Sequence, residues 1–402
     1  MNYISGGVCA PKGFIASGIS CGIRKTGKKD LALIVSQKTA STVGVYTKNL
    51  VKGAPILVTQ QHIANGYARA IIANSGNANT CNDNGIEIAE EMCELVEKHT
   101  GIYAGDVVVA STGVIGQKLS IAPISCGMST LVMELGNNSD DAATAIMTTD
   151  TVKKEVALEF YLGGKLVKMG AIAKGSGMIH PDMATMLVFV TTDAAITPEM
   201  LQKALDYCIL DTFNMISVDR DTSTNDTMIV MANGMAENET ICSEGEAFYA
   251  FKAALFELSL NLSRAIAKDG EGATKLLECR VSGAKSNSDA RLVAKSVICS
   301  PLFKCAMFGA DANWGRVLCA IGYAGADVDV GKVAVGFKSD AGEILVCKKG
   351  GGIEFSEEKA KEVLSCSDII IDISLGDGDA SATAFGCDLT YDYVKINGDY
   401  RS

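Results

Sequence analysis

Apolar residues fall into two patterns along the chain, short β-branched runs of strand length and longer stretches with helical spacing, and their alternation predicts a mixed α/β fold. The strand-like runs are residues 31–36, 68–73, 106–110, 165–173, 186–191, 227–232, 332–337 and 369–375. A helix is expected after residue 85, because Ile88, Met92, Leu95 and Val96 share one face while Glu90, Glu91, Glu94 and Glu97 take the other. Thr197-Pro198-Glu199 supplies an N-cap, a first-turn proline and an acid for the helix dipole, which starts a helix through about Leu210. Further helices are expected over 244–268, closed by Asp269-Gly270-Glu271-Gly272, and near 289–298. Residues 74–85, rich in Asn and Gly, read as a structured loop. Residues 311–316, which hold the only tryptophan, Trp314, read as a loop as well.

One junction breaks this rhythm. Residues 174–190, KGSGMIHPDMATMLVFV, pass from a lysine and a Gly/Ser turn through His180-Pro181 to Ala184-Thr185 and then directly into a strand. The segment presents a single hydroxyl residue at the mouth of an apolar run. A second feature is Thr112-Gly113 at the end of the 106–110 strand, which is either a plain turn or a source of hydrogen-bond donors, since glycine leaves its N–H open to a ligand.

Composition narrows the choices. A chain of 402 residues exceeds one hydrophobic core, so two structural units are expected. With 36 Lys and Arg against 47 Asp and Glu, the net charge of −11 argues against nucleic acid as the main partner. Fourteen cysteines without any CxxC pair read as buried, reduced thiols rather than a disulfide or zinc framework. The N-terminal MNYISGGVCAPKGF has no basic segment followed by an apolar core, and no stretch reaches membrane-spanning length, so a cytoplasmic protein is expected.

Only His62, His99 and His180 are available as imidazole bases or metal ligands, and no metal site is expected. His180 precedes a proline, which holds it extended and suits it to positioning its loop rather than to base catalysis. Neither GxxxxGK[ST] nor a strand-borne GxGxxG occurs. A hydroxyl nucleophile without a nearby histidine can use its own α-amino group, whose reference pKa of about 7.7–8.0 suits neutral pH. That requires cutting the Ala184–Thr185 bond: the Thr185 hydroxyl would attack the Ala184 carbonyl, the acyl group would shift from N to O, and water would release it.

Seven ordered blocks, spread over nearly the whole chain, then carry a resemblance. They are residues 6–14, 74–79, 111–116, KGSGMIHPDMATML, 269–275, 311–316 and the tail 393–402. Together they resemble the ornithine acetyltransferase (glutamate N-acetyltransferase) family, ArgJ-type proteins of arginine biosynthesis. The resemblance implies a DmpA/ArgJ-like layered sandwich of sheets flanked by helices, in a self-processing enzyme of the N-terminal-nucleophile type. It implies an α chain of residues 1–184 and a β chain of 185–402 that stay together as an α2β2 heterotetramer. Structurally, a main domain of about 1–273 and a smaller C-terminal unit of about 274–402, whose tail returns to the site, are expected.

The resemblance also implies ping-pong transfer of an acetyl group from N2-acetyl-L-ornithine to L-glutamate through an acetyl-Thr185 intermediate. No cofactor is implied, although acetyl-CoA is a candidate second donor. By position, Thr112 and Gly113 would form the oxyanion hole, and Thr148, Lys174, Thr185, Glu271, Asn397 and Ser402 would bind substrate. Lys174 suits a carboxylate and Glu271 an ammonium, and a cation near the Thr185 amine favours its unprotonated form. The alternatives are a self-processing aminopeptidase or amidase of related fold, in which water takes the acyl group, and a non-catalytic protein that has kept the fold.

Overall fold

The computed structural model describes residues 1–25, 27–180 and 186–399. The first ten strands are β1 (Asn2–Ile4), β2 (Phe14–Ile19), β3 (Leu31–Tyr46), β4 (Tyr67–Asn77), β5 (Val107–Val114), β6 (Lys154–Leu162), β7 (Lys165–Lys174), β8 (Leu187–Thr192), β9 (Ile216–Ser217) and β10 (Thr227–Ala232). Six more follow: β11 (Leu276–Ala284), β12 (Ala334–Ser339), β13 (Gly342–Lys348), β14 (Gly351–Gly352), β15 (Asp368–Ser374) and β16 (Ala380–Cys387). The helices are α1 (Ala54–His62), α2 (Gly85–Thr100), α3 (Ile121–Met133), α4 (Ser139–Ala145), α5 (Pro198–Leu210) and α6 (Glu246–Lys268), then α7 (Asn287–Cys299), α8 (Pro301–Phe308), α9 (Trp314–Gly322), α10 (Glu357–Leu364) and α11 (Tyr391–Gly398). The mixed α/β expectation is met, with sheets layered against helices.

Two compact units divide the chain. The first takes residues 1–175, 182–210 and 222–262, and the second takes 176–181, 211–221 and 263–402. The division therefore falls inside α6, and the second unit gathers two short excursions that a single boundary near residue 273 does not contain.

The first unit is built on a nine-stranded mixed sheet in the order β1-β6-β7-β8-β10-β3-β4-β5, with β2 paired to β3. Most neighbours are antiparallel, while β8–β10 and β4–β5 are parallel. Alternation along β3 separates two cores: Ala32 and Ile34 pack with Ala142, Ala143 and Ile146 around α4, whereas Leu31, Leu33 and Val35 pack with Met92, Val96, Ile124 and Met128 of α2 and α3. Both faces are covered, which is why these strands read as unbroken apolar runs. The second unit has a seven-stranded sheet in the order β14-β13-β12-β15-β11-β16-β9, and its core joins Leu277, Cys279 and Ile371 to Val293, Val297 and Val363 from α7 and α10.

Several expected boundaries move. β3 extends ten residues beyond position 36, and β4 takes in residues 74–77 of the expected loop. β5 runs through Thr112-Gly113 to Val114, so that pair is strand rather than turn. Residues 311–313 are a loop, but Asn313 caps α9 by accepting from the Arg316 N–H, and Trp314 to Arg316 already belong to the helix. All fourteen cysteines are free thiols; six are buried, while Cys81, Cys126, Cys242, Cys305 and Cys319 are exposed, which corrects the expectation of uniform burial. No helix among the described residues is long and apolar enough to cross a membrane.

Candidate active site

Thr112, Gly113, Thr148 and Lys174 lie in the first unit. Lys174 ends β7, opposite Leu187 of β8, and its Nζ donates to Thr112 Oγ1 at 3.3 Å. Both residues are buried, at 8% exposure each. Thr112 sits where β5 runs parallel to β4, with Thr112 level with Ser75 and Gly113 level with Gly76 before the register shifts at Asn77. At Gly113 φ is +134°, and a Cβ would stand 2.3 Å from the Gly76 carbonyl carbon and 2.5 Å from the Asn77 nitrogen. Only glycine fits there. Asn225 holds this strand end from the other side: its Nδ2 donates to the Ser111 and Ala78 carbonyls, at 3.0 and 2.5 Å, while its Oδ1 accepts from the Thr80 and Thr224 hydroxyls.

Thr148 is fixed through its backbone. Its N–H donates to Asp150 Oδ2 at 3.0 Å, and Arg24 Nη2 donates to its carbonyl at 3.2 Å. Asp150 also accepts from Lys154 Nζ and from the Gly175 N–H, each at 2.8 Å. Burial pushes the Asp150 carboxyl up, but the Lys174 and Lys154 cations and these donors outweigh it and leave the group at about 2. A stable negative charge is thus tied to the backbone on which Lys174 sits.

Glu271 and Asn397 lie in the second unit and meet there. Asn397 Nδ2 donates to Glu271 Oε2 at 2.7 Å, from the last turn of α11. The Glu271 N–H donates to the Ser176 carbonyl at 3.0 Å, and Ser176 Oγ donates to the Asp269 carbonyl at 2.6 Å. A Cβ on Gly177 would come within 2.2 Å of the Glu271 carboxyl carbon, so the second glycine of KGSG is what lets that carboxylate pack against the turn. Asp219 anchors the same segment by accepting from the Met178 and Ile179 N–H groups at 2.6 and 2.8 Å.

Ala184, Thr185 and Ser402, the expected cleavage pair and the last binding residue, lie outside the described residues. His62 bonds through its ring to the Val107 carbonyl and Glu90, and His99 lies in the last turn of α2. His180 Nδ1 is 3.1 Å from Ser217 Oγ and 3.6 Å from Cys299 Sγ. The sequence reading missed Asp150, Asp219, Asn225 and Asp226. A signal was present for three of them, since the polar run from Ser217 to Asp226 leads straight into an apolar strand.

Comparison with known proteins gives one consistent result. A model of the ArgJ family matches residues 15–402. The arginine biosynthesis bifunctional protein ArgJ 1 of Clostridium acetobutylicum is 50% identical over 391 residues, covering 97% of this chain and 96% of that protein. The arginine biosynthesis bifunctional protein ArgJ of Caldanaerobacter subterraneus subsp. tengcongensis is 50% identical over 404 residues, covering 100% of both. Among solved structures, that of arginine biosynthesis bifunctional protein ArgJ from Bacillus halodurans is similar at 46% identity and a TM-score of 0.50; it covers 52% of this chain and 97% of its own.

Proposed function

The chain belongs to the ArgJ family and is an acetyltransferase of arginine biosynthesis, and from that premise we propose how its own residues carry the reaction. Thr185 attacks the Ala184 carbonyl, the peptide bond opens by an N-to-O acyl shift and hydrolysis, and the freed α-amine of Thr185 becomes the base for its own hydroxyl. Thr185 then accepts the acetyl group of N2-acetyl-L-ornithine, releases ornithine, and passes the acetyl to L-glutamate. Acetyl-CoA serves as a second donor for making N-acetylglutamate.

The observation that carries this reading is the buried contact between Lys174 Nζ and Thr112 Oγ1 beside a position that only glycine can occupy. The Thr112 hydroxyl and the Gly113 N–H are the donors for the oxyanion of both acyl steps, and the Lys174 cation strengthens the hydroxyl as a donor. Thr148, Lys174 and Ser402 take the substrate's polar groups, while Glu271, oriented by Asn397, takes its ammonium. The Bacillus halodurans chain, about half as long as this one, supports division of the precursor. The two pieces, 1–184 and 185–402, remain together as an α2β2 assembly in the cytoplasm.

Intact-mass analysis tests the cut, with pieces of 184 and 218 residues expected from the wild type and one chain of 402 residues from Thr185→Ala. An intact wild-type chain, or a cleaved variant, would overturn the nucleophile assignment. Without glutamate, acetylornithine should release ornithine only up to one equivalent per active site, and turnover beyond that should require glutamate; continued release into water alone would instead mark an amidase.

A further inference from the structure

Asp226 has no part in the reaction as described so far, yet the sheet sets it level with Met186, the residue that follows Thr185. β7, β8 and β10 are neighbours, and their register puts Lys174 opposite Leu187 and Leu187 opposite Thr227. Because β8 and β10 run parallel, Met186 and Asp226, each one residue earlier, are level with each other. The Thr227 N–H donates to the Met186 carbonyl at 2.8 Å, and the Met186 N–H in turn bonds to the Asp226 carboxyl. That N–H belongs to the peptide bond joining Thr185 to Met186. Asp226 therefore holds the first amide after the residue that the cut makes into a chain start.

The carboxyl is 2% exposed, and its Oδ2 has no hydrogen-bond partner. The groups facing it are the Ser223 hydroxyl before β10, the Thr47 hydroxyl after β3, the Met186 N–H just before β8 and one charge, Lys174 of β7. Burial outweighs these donors and raises the group well above the ordinary carboxylate range. Asp150, which also feels Lys174, has Lys154 in addition and stays ionised. Lys174 thus acts on two carboxyl groups shifted in opposite directions.

An ionised Asp226 would work against the chemistry in two ways. A negative charge one peptide from Thr185 would favour the ammonium form of its amine, which cannot act as a base, and it would draw the Lys174 cation away from Thr112. We propose that Asp226 is a positioning residue for the nucleophile: it holds the Met186 N–H, the first amide after Thr185, while leaving Lys174 directed at Thr112. The inference rests on Thr185 as nucleophile, so Thr185→Ala is the control that separates the two: if that variant cleaves, the nucleophile assignment itself has failed.

The test uses full-length Asp226→Asn, Asp226→Ala and wild-type precursors, with cleavage followed by intact mass and acetyl transfer measured from about pH 6 to pH 10. Asp226→Asn keeps an uncharged acceptor, so it should cleave and turn over within roughly threefold of the wild type at neutral pH, with KM unchanged. Wild-type kcat should fall on the alkaline side as Asp226 ionises, and Asp226→Asn should lack that fall. Asp226→Ala should cleave at least about tenfold more slowly while folded by circular dichroism. Identical alkaline limbs in wild type and Asp226→Asn would overturn the proposal, as would wild-type cleavage rates in Asp226→Ala. If Asp226→Ala does not fold, the comparison of pH profiles still decides.

Discussion

Asp150 and Asp226 are both buried carboxyl groups within the influence of Lys174, and they sit on opposite sides of their ordinary range. Their contributions to stability therefore have opposite signs. Asp150 is depressed to about 2, so its stabilisation is complete above the unfolded value near 4 and is lost as pH falls from there towards 2. The loss is on the order of 2 kcal/mol, and Asp150→Asn should remove that acid dependence from denaturant melts taken between pH 2 and 5. Asp226 is raised, so its proton stabilises the fold at low pH and that contribution fades as pH climbs towards the folded value. Asp226→Asn should accordingly melt higher than the wild type above pH 7; an equal or lower Tm would contradict the buried uncharged acid. At Gly113, alanine meets both a positive φ and backbone atoms at 2.3 Å, so Gly113→Ala should cost on the order of 3 kcal/mol and suppress cleavage together.

At the level of elements, the C-terminal helix brings Asn397 to Glu271 in the second unit's loop. Thr390 caps α11, accepting from the Tyr393 N–H at 3.4 Å and donating to the Gly272 carbonyl at 2.7 Å, next to Glu271. Thr390→Ala should lose about 1 kcal/mol of stability and loosen the Asn397–Glu271 contact, visible as a raised KM. Deleting Arg401-Ser402 should raise KM for acetylornithine more than it lowers Tm, and an unchanged KM would remove the tail from the site. The strands over 227–232 and 369–375 and the helices after 85, 198 and 244 were legible because their apolar spacing is local. The second half of β3 was not, since Gln37, Lys38 and Thr39 are exposed; what continues the strand is pairing with β10 and, across an irregularity, with β4. α3 was also missed, although Ile124, Met128 and Leu131 keep helical spacing, because Gly127 and several Ser and Thr residues dilute it.

For the molecule as a whole, free thiols replace cross-links, so alkylation of the native protein should label Cys81, Cys126, Cys242, Cys305 and Cys319 first, while Cys93, Cys208, Cys279 and Cys347 wait for unfolding. Rapid labelling of all fourteen would contradict the burial of these four thiols. The sequence by itself determined the mixed α/β class, the ordered blocks of the family and the Gly-Ser-to-Thr185 junction, because each of these is written in neighbouring residues. It did not reveal that residues 176–181 and 211–221 join the C-terminal half of the chain in one unit, since that depends on contacts between distant segments. Nor did it distinguish Asp150 from Asp226. Both stand in polar runs, and only sheet register and burial decide that Lys154 and Lys174 hold one well below the ordinary carboxylate range, while the other, with Lys174 as its one cation, is pushed well above it by desolvation.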